Sequence, residues 1–327
     1  MSSNPGTLGA AFSGRSENEP VARPAAGMSA SDAGRALLVV IIWGLNFVVI
    51  DRGLKTLPPL LFVTLRYVFT VFPAIFFVSR PGTRWYWIVG IGLSINVGQF
   101  GLLFVAIHRG VPAGLASLVV QCQAAFTLVF AAAVLRETPR ATQLAGTLLA
   151  SIGILIIALG HAASTPVAPL LLVIMAGAFW GAGNIFTRYA KARSAFGLIV
   201  WAGLVAPPPL LTLSLWLEGP RADLTAIQHL FPVGALALAY VVIAATMFGF
   251  GTWTALLRKY PAPVVAPFAL LVPVTGILSA WILLGERPSG GEVAGGVVAM
   301  VGLALVTGVA ASAWRRAARF SRARTAA

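Results

Sequence analysis

Ten long apolar runs, separated by short breaks that are charged or rich in proline and glycine, dominate the sequence. Each run is close to the roughly 20 residues that a helix needs to cross a hydrocarbon core of about 30 Å. The chain is 58% hydrophobic and only 10% charged, whereas an ordinary soluble domain carries roughly 25% charged residues. We therefore predict ten transmembrane spans, at residues 35–54, 58–79, 85–106, 112–135, 141–160, 167–189, 196–217, 231–255, 261–284 and 291–313.

The fold class that follows is an all-α integral membrane protein. A membrane-spanning β-barrel needs strands that alternate apolar and polar residues, and runs such as 152–159 are apolar at every position. The predicted loops are short, which excludes a separate extramembrane domain.

The first 30 residues differ from the rest of the chain. They are rich in Ser, Gly, Ala and Pro and contain no apolar core of the kind that a secretory signal needs, so we expect a disordered extension over residues 1–30. Met28 stands just before the first span, which leaves open whether translation starts at Met1 or Met28.

The chain has a formal charge of +14, and the positions of its Lys and Arg residues relative to the predicted spans indicate the membrane topology. Basic residues near span ends resist translocation, and an N-terminus in the cytoplasm places 17 of the 23 Lys and Arg residues on that side. We expect a multi-pass protein of the inner membrane with both termini cytoplasmic. The basic tail at 314–327 then serves as an anchor beside anionic lipid rather than as a nucleic-acid site, so membrane lipids are predicted partners and nucleic acid is not.

An internal repeat is the most informative pattern. Adding 149 to positions from Pro112 onward pairs identical residues in the two halves of the chain, namely Pro112 with Pro261, Ala113 with Ala262, Glu137 with Glu286, Pro139 with Pro288, Gly146 with Gly295, Ala150 with Ala299 and Gly153 with Gly302. Each repeat, 35–160 and 167–313, holds five predicted spans. Because five is odd, the second copy enters the membrane inverted, as in many transporters, whose substrate sites lie at the interface between the repeats.

Several motifs resemble one transporter family. They are Trp43-Gly44-Leu45-Asn46-Phe47, Leu65-Arg66-Tyr67, the run from Pro112 to Ser117, Gly183-Asn184-Ile185-Phe186, the stretch from Ala266 to Pro273, and Glu286-Arg287. They resemble the EamA-type branch of the drug/metabolite transporter superfamily, and look most like its O-acetylserine/cysteine exporters. The resemblance implies ten helices, a central cavity walled by the first four spans and by spans six to nine, and export of small amino-acid metabolites from the cytoplasm.

Neutral amides inside the spans are the first candidates for the cavity lining. Placing an unpaired amide in contact with lipid is unfavourable in free energy. Within a cavity, an amide can donate a hydrogen bond to a carboxylate and accept one from an ammonium. The candidates are Asn46, Asn96, Gln99, Gln121, Gln123 and Asn184. The alternative role for each is an interhelical hydrogen bond. Gln121 and Gln123 are two residues apart and face different directions on a helix, so we expect only one of them to reach the cavity.

Arg66 is the single charged residue well inside a predicted span. An intramembrane charge needs a partner, and two assignments are open. It receives a substrate carboxylate, or it has a structural role, snorkelling outward or binding a helix end, with Asp51 as counter-ion. Trp43 and Trp180 are further candidate binding residues, although tryptophan near a span end is commonly an interface anchor.

The sequence offers few groups for catalysis. One cysteine, Cys122, and three histidines form no metal-ligand set, and no nucleophile and base are placed together. We predict no cofactor, no metal and no enzymatic activity. Every acid lies in a tail, a loop or a span end, which favours gradient-following efflux over a buried carboxylate relay. Glu137 and Glu286, in the hairpins before the fifth and tenth spans, are interpreted as helix N-terminal charges.

The sequence therefore predicts an alternating-access exporter of a small zwitterionic amino-acid metabolite. The alternatives left open are an exporter of other amphipathic solutes, such as aromatic amino acids, drugs or polar lipids, a channel, and a membrane-embedded enzyme. The matched spacings Gly146 to Ala150 and Gly295 to Ala299 let helices approach closely. They fit either a homodimer or packing within one subunit.

Overall fold

The computed structural model describes residues 28–161, 167–260 and 262–306, and every regular element in those ranges is a helix. The helices are α1 (Ala30–Gly53), α2 (Pro59–Ile75), α3 (Trp85–His108), α4 (Ala113–Leu135), α5 (Ala141–His161), α6 (Val167–Ala190), α7 (Ala195–Leu217), α8 (Pro220–Gln228), α9 (Val233–Lys259), α10 (Ala262–Ala269 and Val272–Leu284) and α11 (Gly290–Val306). The predicted basic tail and nearly all of the predicted leading extension lie outside the described residues.

The helices have the length and composition of a multi-pass membrane protein. Among the described residues, seven helices are long and apolar enough to cross a membrane: α1, α3, α4, α6, α7, α9 and, from Pro267 onward, α10. Three more, α2, α5 and α11, carry shorter apolar stretches of 10 to 17 residues. Helix α1 begins earlier than its predicted span because Ser29 caps it, its hydroxyl accepting the Asp32 N–H at 3.2 Å.

One helix was not predicted. The stretch between the seventh and eighth predicted spans, expected to be a loop, contains α8. Pro220 is its first residue, a position where the missing N–H of proline costs nothing. It buries Asp223 and Ala226 and leaves Leu224 and Ile227 exposed. Nine residues are too few to be found by a search for membrane-length runs.

Five helices are irregular near their middles, and one of them, α7, is interrupted between Gly203 and Pro207. A π-helical segment covers Gly92–Gln99 in α3, and another covers Tyr240–Phe250 in α9. Helix α4 narrows to a 3-10 turn at Val120–Cys122, and α10 breaks between Ala269 and Val272. Such interruptions of an α-helix are frequent at functional sites.

Two ends of the bundle are distinguished below. The near end is the one at which α1 begins, and the far end is the one at which α1 ends. Arg52 Nη2 donates to the Leu283 carbonyl at 3.1 Å, so α1 and α10 finish together at the far end. Much of the main hydrophobic core comes from helix segments that begin or end at the far end. Ile50, Phe62 and Phe104 belong to these segments and are fully buried.

Helices α5 and α11 meet through the glycine and alanine residues whose spacing the sequence repeats. A Cβ atom added to Gly153 would stand 2.4 Å from the Ala299 nitrogen, and one added to Gly302 would stand 2.4 Å from the Ala150 nitrogen. The backbones are therefore in direct contact. The structure uses this small-residue surface within a single chain, and the homodimer stays a prediction.

Candidate substrate site

Arg66 lies in the middle of the bundle on α2 and is 2% exposed. The carbon of its guanidinium stands 3.9 Å from the centroid of the Phe100 ring, on α3, and 5.4 Å from that of Tyr67. Its Nε and Nη1 atoms have no hydrogen-bond partner. Aromatic faces attract a cation but leave these hydrogen-bond donors unused, and a buried donor without a partner is costly. The guanidinium is therefore available to an anion.

The structure bears on two parts of the structural role considered for Arg66, namely the Asp51 counter-ion and snorkelling. Asp51, the suggested counter-ion, lies 3.7 Å from Lys55, one turn further along the chain. The near-complete burial of Arg66 excludes snorkelling to either surface. Among the described residues, no carboxylate forms an ion pair with it.

Two buried amides on α3 adjoin the aromatic residues that contact Arg66. The Tyr67 hydroxyl donates to Asn96 Oδ1 at 3.0 Å, and both residues are buried. Gln99 belongs to the same π segment, is 3% exposed, and has an Oε1 atom without a partner. It directly precedes Phe100, whose ring faces Arg66. Helices α2 and α3 thus bring together Arg66, Tyr67, Asn96, Gln99 and Phe100, which we call the Arg66 cluster.

Asn46 is a buried polar residue in the middle of α1. It is 8% exposed, and its Oδ1 atom has no hydrogen-bond partner. Helix α1 packs against the second half of α3, the part that follows Gln99. Two amide oxygens, those of Asn46 and Gln99, therefore remain available as acceptors in the interior.

A second polar cluster joins α4 and α6. Asn184 Nδ2 lies 3.0 Å from Gln123 Oε1 and 3.0 Å from Thr127 Oγ1. Thr127 donates in turn to the Gln123 carbonyl at 2.7 Å. The residues are partly buried. Here the interhelical role considered from sequence is observed, because the amide groups satisfy one another across the two helices.

Gln121 lies apart from these clusters. It lines a small, almost wholly apolar cavity with residues of α5 and α11, including Ile154 and Met300. Gln123 faces α6 instead, so the two glutamines do point in different directions.

The candidate tryptophans also have separate positions. Trp43 Nε1 donates to the Ala245 carbonyl in the π segment of α9 at 2.9 Å. Its ring centroid lies 5.1 Å from that of Phe250 and 5.2 Å from that of Trp253, so an aromatic group joins α1 to α9. Trp180 is partly buried and packs against the main core.

Three residues of these clusters were not among the predicted binding residues. Tyr67 and Phe100 position the guanidinium, and Thr127 completes the second cluster. Tyr67 stood within a motif that the sequence singles out, directly after Arg66. Phe100 and Thr127 carry no sequence signal that separates them from ordinary residues of a membrane helix.

Carboxylates cap two helices at the far end. Glu286 accepts the Ala113 and Gly114 N–H groups, each at 3.1 Å, and so caps α4. Glu218, at the end of α7, accepts from Leu60 at 2.8 Å and from Leu61 at 3.2 Å and so caps α2. Glu286 does lie at a helix N-terminus, as predicted, but at that of α4 rather than that of the helix it precedes.

Glu137 does not act as a helix cap. Its carboxylate pairs with the Arg188 guanidinium at the end of α6, with Oε2 and Nη1 3.1 Å apart. The hydrogen bond from Arg188 lowers the pKa of Glu137 below its usual range. The structure thus assigns Glu137 an ion pair with α6, and its interpretation as a helix N-terminal charge stays a prediction.

Two carboxylates at helix ends are buried, which the sequence did not indicate. Asp32, 2% exposed, accepts hydrogen bonds from Lys259 and Tyr260 at the near end. Asp223, at the far end, is 4% exposed, and its Oδ2 atom lies 2.9 Å from Ser214 Oγ. Ser214 Oγ also lies 2.6 Å from Glu218 Oε2. The acids occupy the predicted span ends and loops, but these positions are not all solvent-exposed.

Comparisons with known proteins give consistent results. The EamA-like transporter family matches the chain twice, over residues 34–159 and 167–308. A Salmonella typhimurium protein named "Probable amino-acid metabolite efflux pump" is 44% identical over 282 residues, covering 84% of this chain and 94% of its own length. An Escherichia coli K12 protein of the same name is 41% identical over 298 residues, covering 89% of this chain and 99% of its own length.

More distant matches were also found. A Streptantibioticus cattleyicolor protein named "Probable terminal-alkyne amino-acid exporter" is 28% identical over 240 residues, covering 70% of this chain and 75% of its own length. A crystal structure with 19% sequence identity superposes with a TM-score of 0.57, covering 85% of this chain and 98% of that one. That structure supports the fold alone.

Proposed function

The chain belongs to the EamA-like transporter family, and on that premise we propose that it exports small amino-acid metabolites, of the O-acetylserine and cysteine type, from the cytoplasm. The names of the Salmonella and Escherichia relatives support amino-acid metabolites as the substrate class. The excess of Lys and Arg in alternate predicted loops supports an inner-membrane location with cytoplasmic termini.

The observation that carries the substrate class is the unpaired guanidinium of Arg66. A zwitterionic amino acid presents a carboxylate that fits the free Nε and Nη1 donors. Its ammonium group needs acceptors, and the unpartnered oxygens of Gln99 and Asn46 are of that kind. Substrate binding would thus replace hydrogen bonds that burial has removed from these side chains.

Alternating access is proposed from two inverted five-helix repeats. The offset of 149 that pairs identical residues from Pro112 onward also aligns two pairs of irregular segments. With this offset, the 3-10 turn at 120–122 corresponds to residues 269–271, where α10 is interrupted. With the same offset, the π segment at 92–99 corresponds to residues 241–248, which lie inside the π segment of α9. Matching irregularities in both halves support a common five-helix unit, whose odd number of spans inverts the second copy.

Contacts between helices of the two repeats support a far end that is closed in this arrangement. Gly276 of α10 approaches Ser117 of α4 so closely that an added Cβ would lie 2.5 Å from the Ser117 hydroxyl. Glu286 and Glu218 bind the amide groups of α4 and α2 at the same end. With cytoplasmic termini, the far end faces outward. Export requires these contacts to open.

A counterflow assay in proteoliposomes tests the function. We expect O-acetylserine and cysteine to exchange saturably and a cationic drug without a carboxylate to exchange weakly. Arg66→Gln removes the charge and should abolish amino-acid counterflow, while Arg66→Lys should retain part of it. Arg109→Gln, at an exposed arginine of the far end, is the matched control and should behave as the unchanged protein. If Arg66→Gln lowers protein yield but leaves transport per molecule unchanged, Arg66 is structural and the proposed binding role is wrong.

A second candidate function is export of aromatic or other amphipathic solutes. The observation that favours it is the aromatic group formed by Trp43, Phe250 and Trp253, whose rings are partly buried beside α9. Phenylalanine in the same counterflow assay distinguishes the two candidates. Preferential exchange of phenylalanine over O-acetylserine would support the second.

A further inference from the structure

A groove at the near end lies between the loop that follows α2, the start of α3 and the end of α6. Its volume is about 910 Å³. Six side chains give it its character: three cations, Arg80, Arg84 and Lys191, and three aromatic rings, Tyr86, Trp87 and Tyr189. We call it the α3–α6 groove. It is separate from the Arg66 cluster and has no part in the proposed transport site.

None of the three cations forms an ion pair with a carboxylate of the described residues. Three other cations of the near end do form such pairs: Arg188 with Glu137, and Arg35 and Lys259 with Asp32. In the groove, the Arg80 guanidinium lies 5.9 Å from the Trp85 ring centroid, and Arg84 Nη1 donates to the Tyr86 hydroxyl at 2.9 Å. The described residues place no carboxylate in an ion pair with Arg80, Arg84 or Lys191. The groove is therefore strongly electropositive.

The aromatic wall is ordered by stacking. The rings of Trp87 and Tyr189 are 4.9 Å apart between centroids and 3° from parallel, which joins α3 to α6. Tyr86 packs edge-on against Trp87 at 4.7 Å. Such rings offer an apolar surface with polar edges, the combination favoured at the boundary between headgroups and hydrocarbon.

The groove is held in shape by hydrogen bonds across it. Thr83 Oγ1 donates to the Ala190 carbonyl at 2.6 Å, and the Arg193 N–H donates to the Pro81 carbonyl at 3.0 Å. Trp201 Nε1 donates to the Val78 carbonyl at 3.2 Å. The loop is thus tied to α6 and α7. Because the site is already ordered, ligand binding does not carry the entropic cost of ordering the loop.

We propose that the α3–α6 groove binds the headgroup of an anionic phospholipid. Three cations around one cleft complement a phosphodiester, and a preformed electropositive site between transmembrane helices is typical of specific lipid binding. Exposed apolar side chains shortly before Arg80 in the chain favour a lipid over a soluble phosphate compound. Phe76 and Phe77, which precede Arg80 by four and three residues, are 78% and 89% exposed, as expected of side chains in contact with acyl chains.

Native mass spectrometry of the full-length protein in detergent tests the proposal. The probes are phosphatidylglycerol, phosphatidylcholine and inorganic pyrophosphate. The groove variant is Arg80→Gln/Arg84→Gln/Lys191→Gln. The matched control is Arg136→Gln/Arg140→Gln/Arg258→Gln, which removes the same charge from exposed arginines of the near end outside the groove.

We expect phosphatidylglycerol to bind the unchanged protein more tightly than phosphatidylcholine does. The groove variant should lose about tenfold or more in affinity for phosphatidylglycerol, since each basic residue near an anionic lipid surface contributes appreciably, and the control should lose little. Equal losses in both variants would mean unspecific attraction and would overturn the proposal. The proposal would also be overturned if the groove bound pyrophosphate but not phosphatidylglycerol, because the ligand would then be a soluble phosphate compound. Unchanged melting temperatures of both variants establish that folding is intact.

Discussion

Glu286 Oε1 accepts the backbone N–H of Ala113 at 3.1 Å, although 173 residues separate the two in the chain. The second carboxylate oxygen binds Gly114 at the same distance. A helix N-terminus carries unpaired N–H groups and a partial positive charge, so this side chain from the end of α10 completes α4. The contact holds helices of the two sequence repeats together at the far end.

Replacing Glu286 by Gln should therefore destabilise the protein. The amide retains one acceptor oxygen but loses the charge and the second hydrogen bond, and the loss of a helix cap costs typically about 1 kcal/mol. Thermal unfolding in detergent measures the effect. Arg109→Gln is the control, because it removes a charge from an exposed side chain at the same end of the bundle. A melting temperature lowered as far by Arg109→Gln as by Glu286→Gln would contradict the cap.

The second polar cluster should behave as an interhelical contact. Asn184→Ala and Gln123→Ala each remove one side of the hydrogen bond between α4 and α6. Interhelical hydrogen bonds in membrane proteins contribute on average about 0.6 kcal/mol, so a double-mutant cycle should give a coupling energy of that size. A coupling near zero would show that the two amides act independently.

Close packing of α5 on α11 predicts a strong effect at Gly153. A Cβ atom there would stand 2.4 Å from the Ala299 nitrogen and 2.5 Å from the Gly295 carbonyl oxygen. Gly153→Ala must push the helices apart, and overpacking of this kind costs typically about 1–3 kcal/mol. Gly34→Ala is the control, because Gly34 is in α1 with no atom within 4 Å of the added Cβ. Unfolding in detergent should show a loss at Gly153 and none at Gly34.

The ion pair of Glu137 with Arg188 predicts a pH dependence. The hydrogen bond from Arg188 lowers the pKa of Glu137 from its ordinary value of 4.5. A carboxyl with a lowered pKa in the folded protein contributes stability above that ordinary value, and the contribution is lost as the pH falls through the lowered pKa. Melting temperatures between pH 7 and pH 3, measured for the unchanged protein and Glu137→Gln, should converge at the acid end. Curves that stay parallel would contradict the pairing.

Much of the candidate site was predictable residue by residue, but its grouping was not. Asn46, Arg66, Asn96 and Gln99 stand out because polar side chains are rare within apolar runs, and the structure buries all four. That Asn184 would bind Gln123, whereas Gln121 would face α5 and α11, depends on how three helices pack. The π segments and the ring of Phe100 over Arg66 likewise arise from packing.

By itself, the sequence determined the helical membrane class, the approximate helix bounds and the family, because each depends on the composition of a continuous stretch or on motifs along it. The tertiary structure alone decided which carboxylate caps which helix, which arginines lack partners and which amides satisfy one another. These relationships join residues far apart in the chain, and their directions depend on where neighbouring helices place the complementary atoms, which no local pattern of residues specifies.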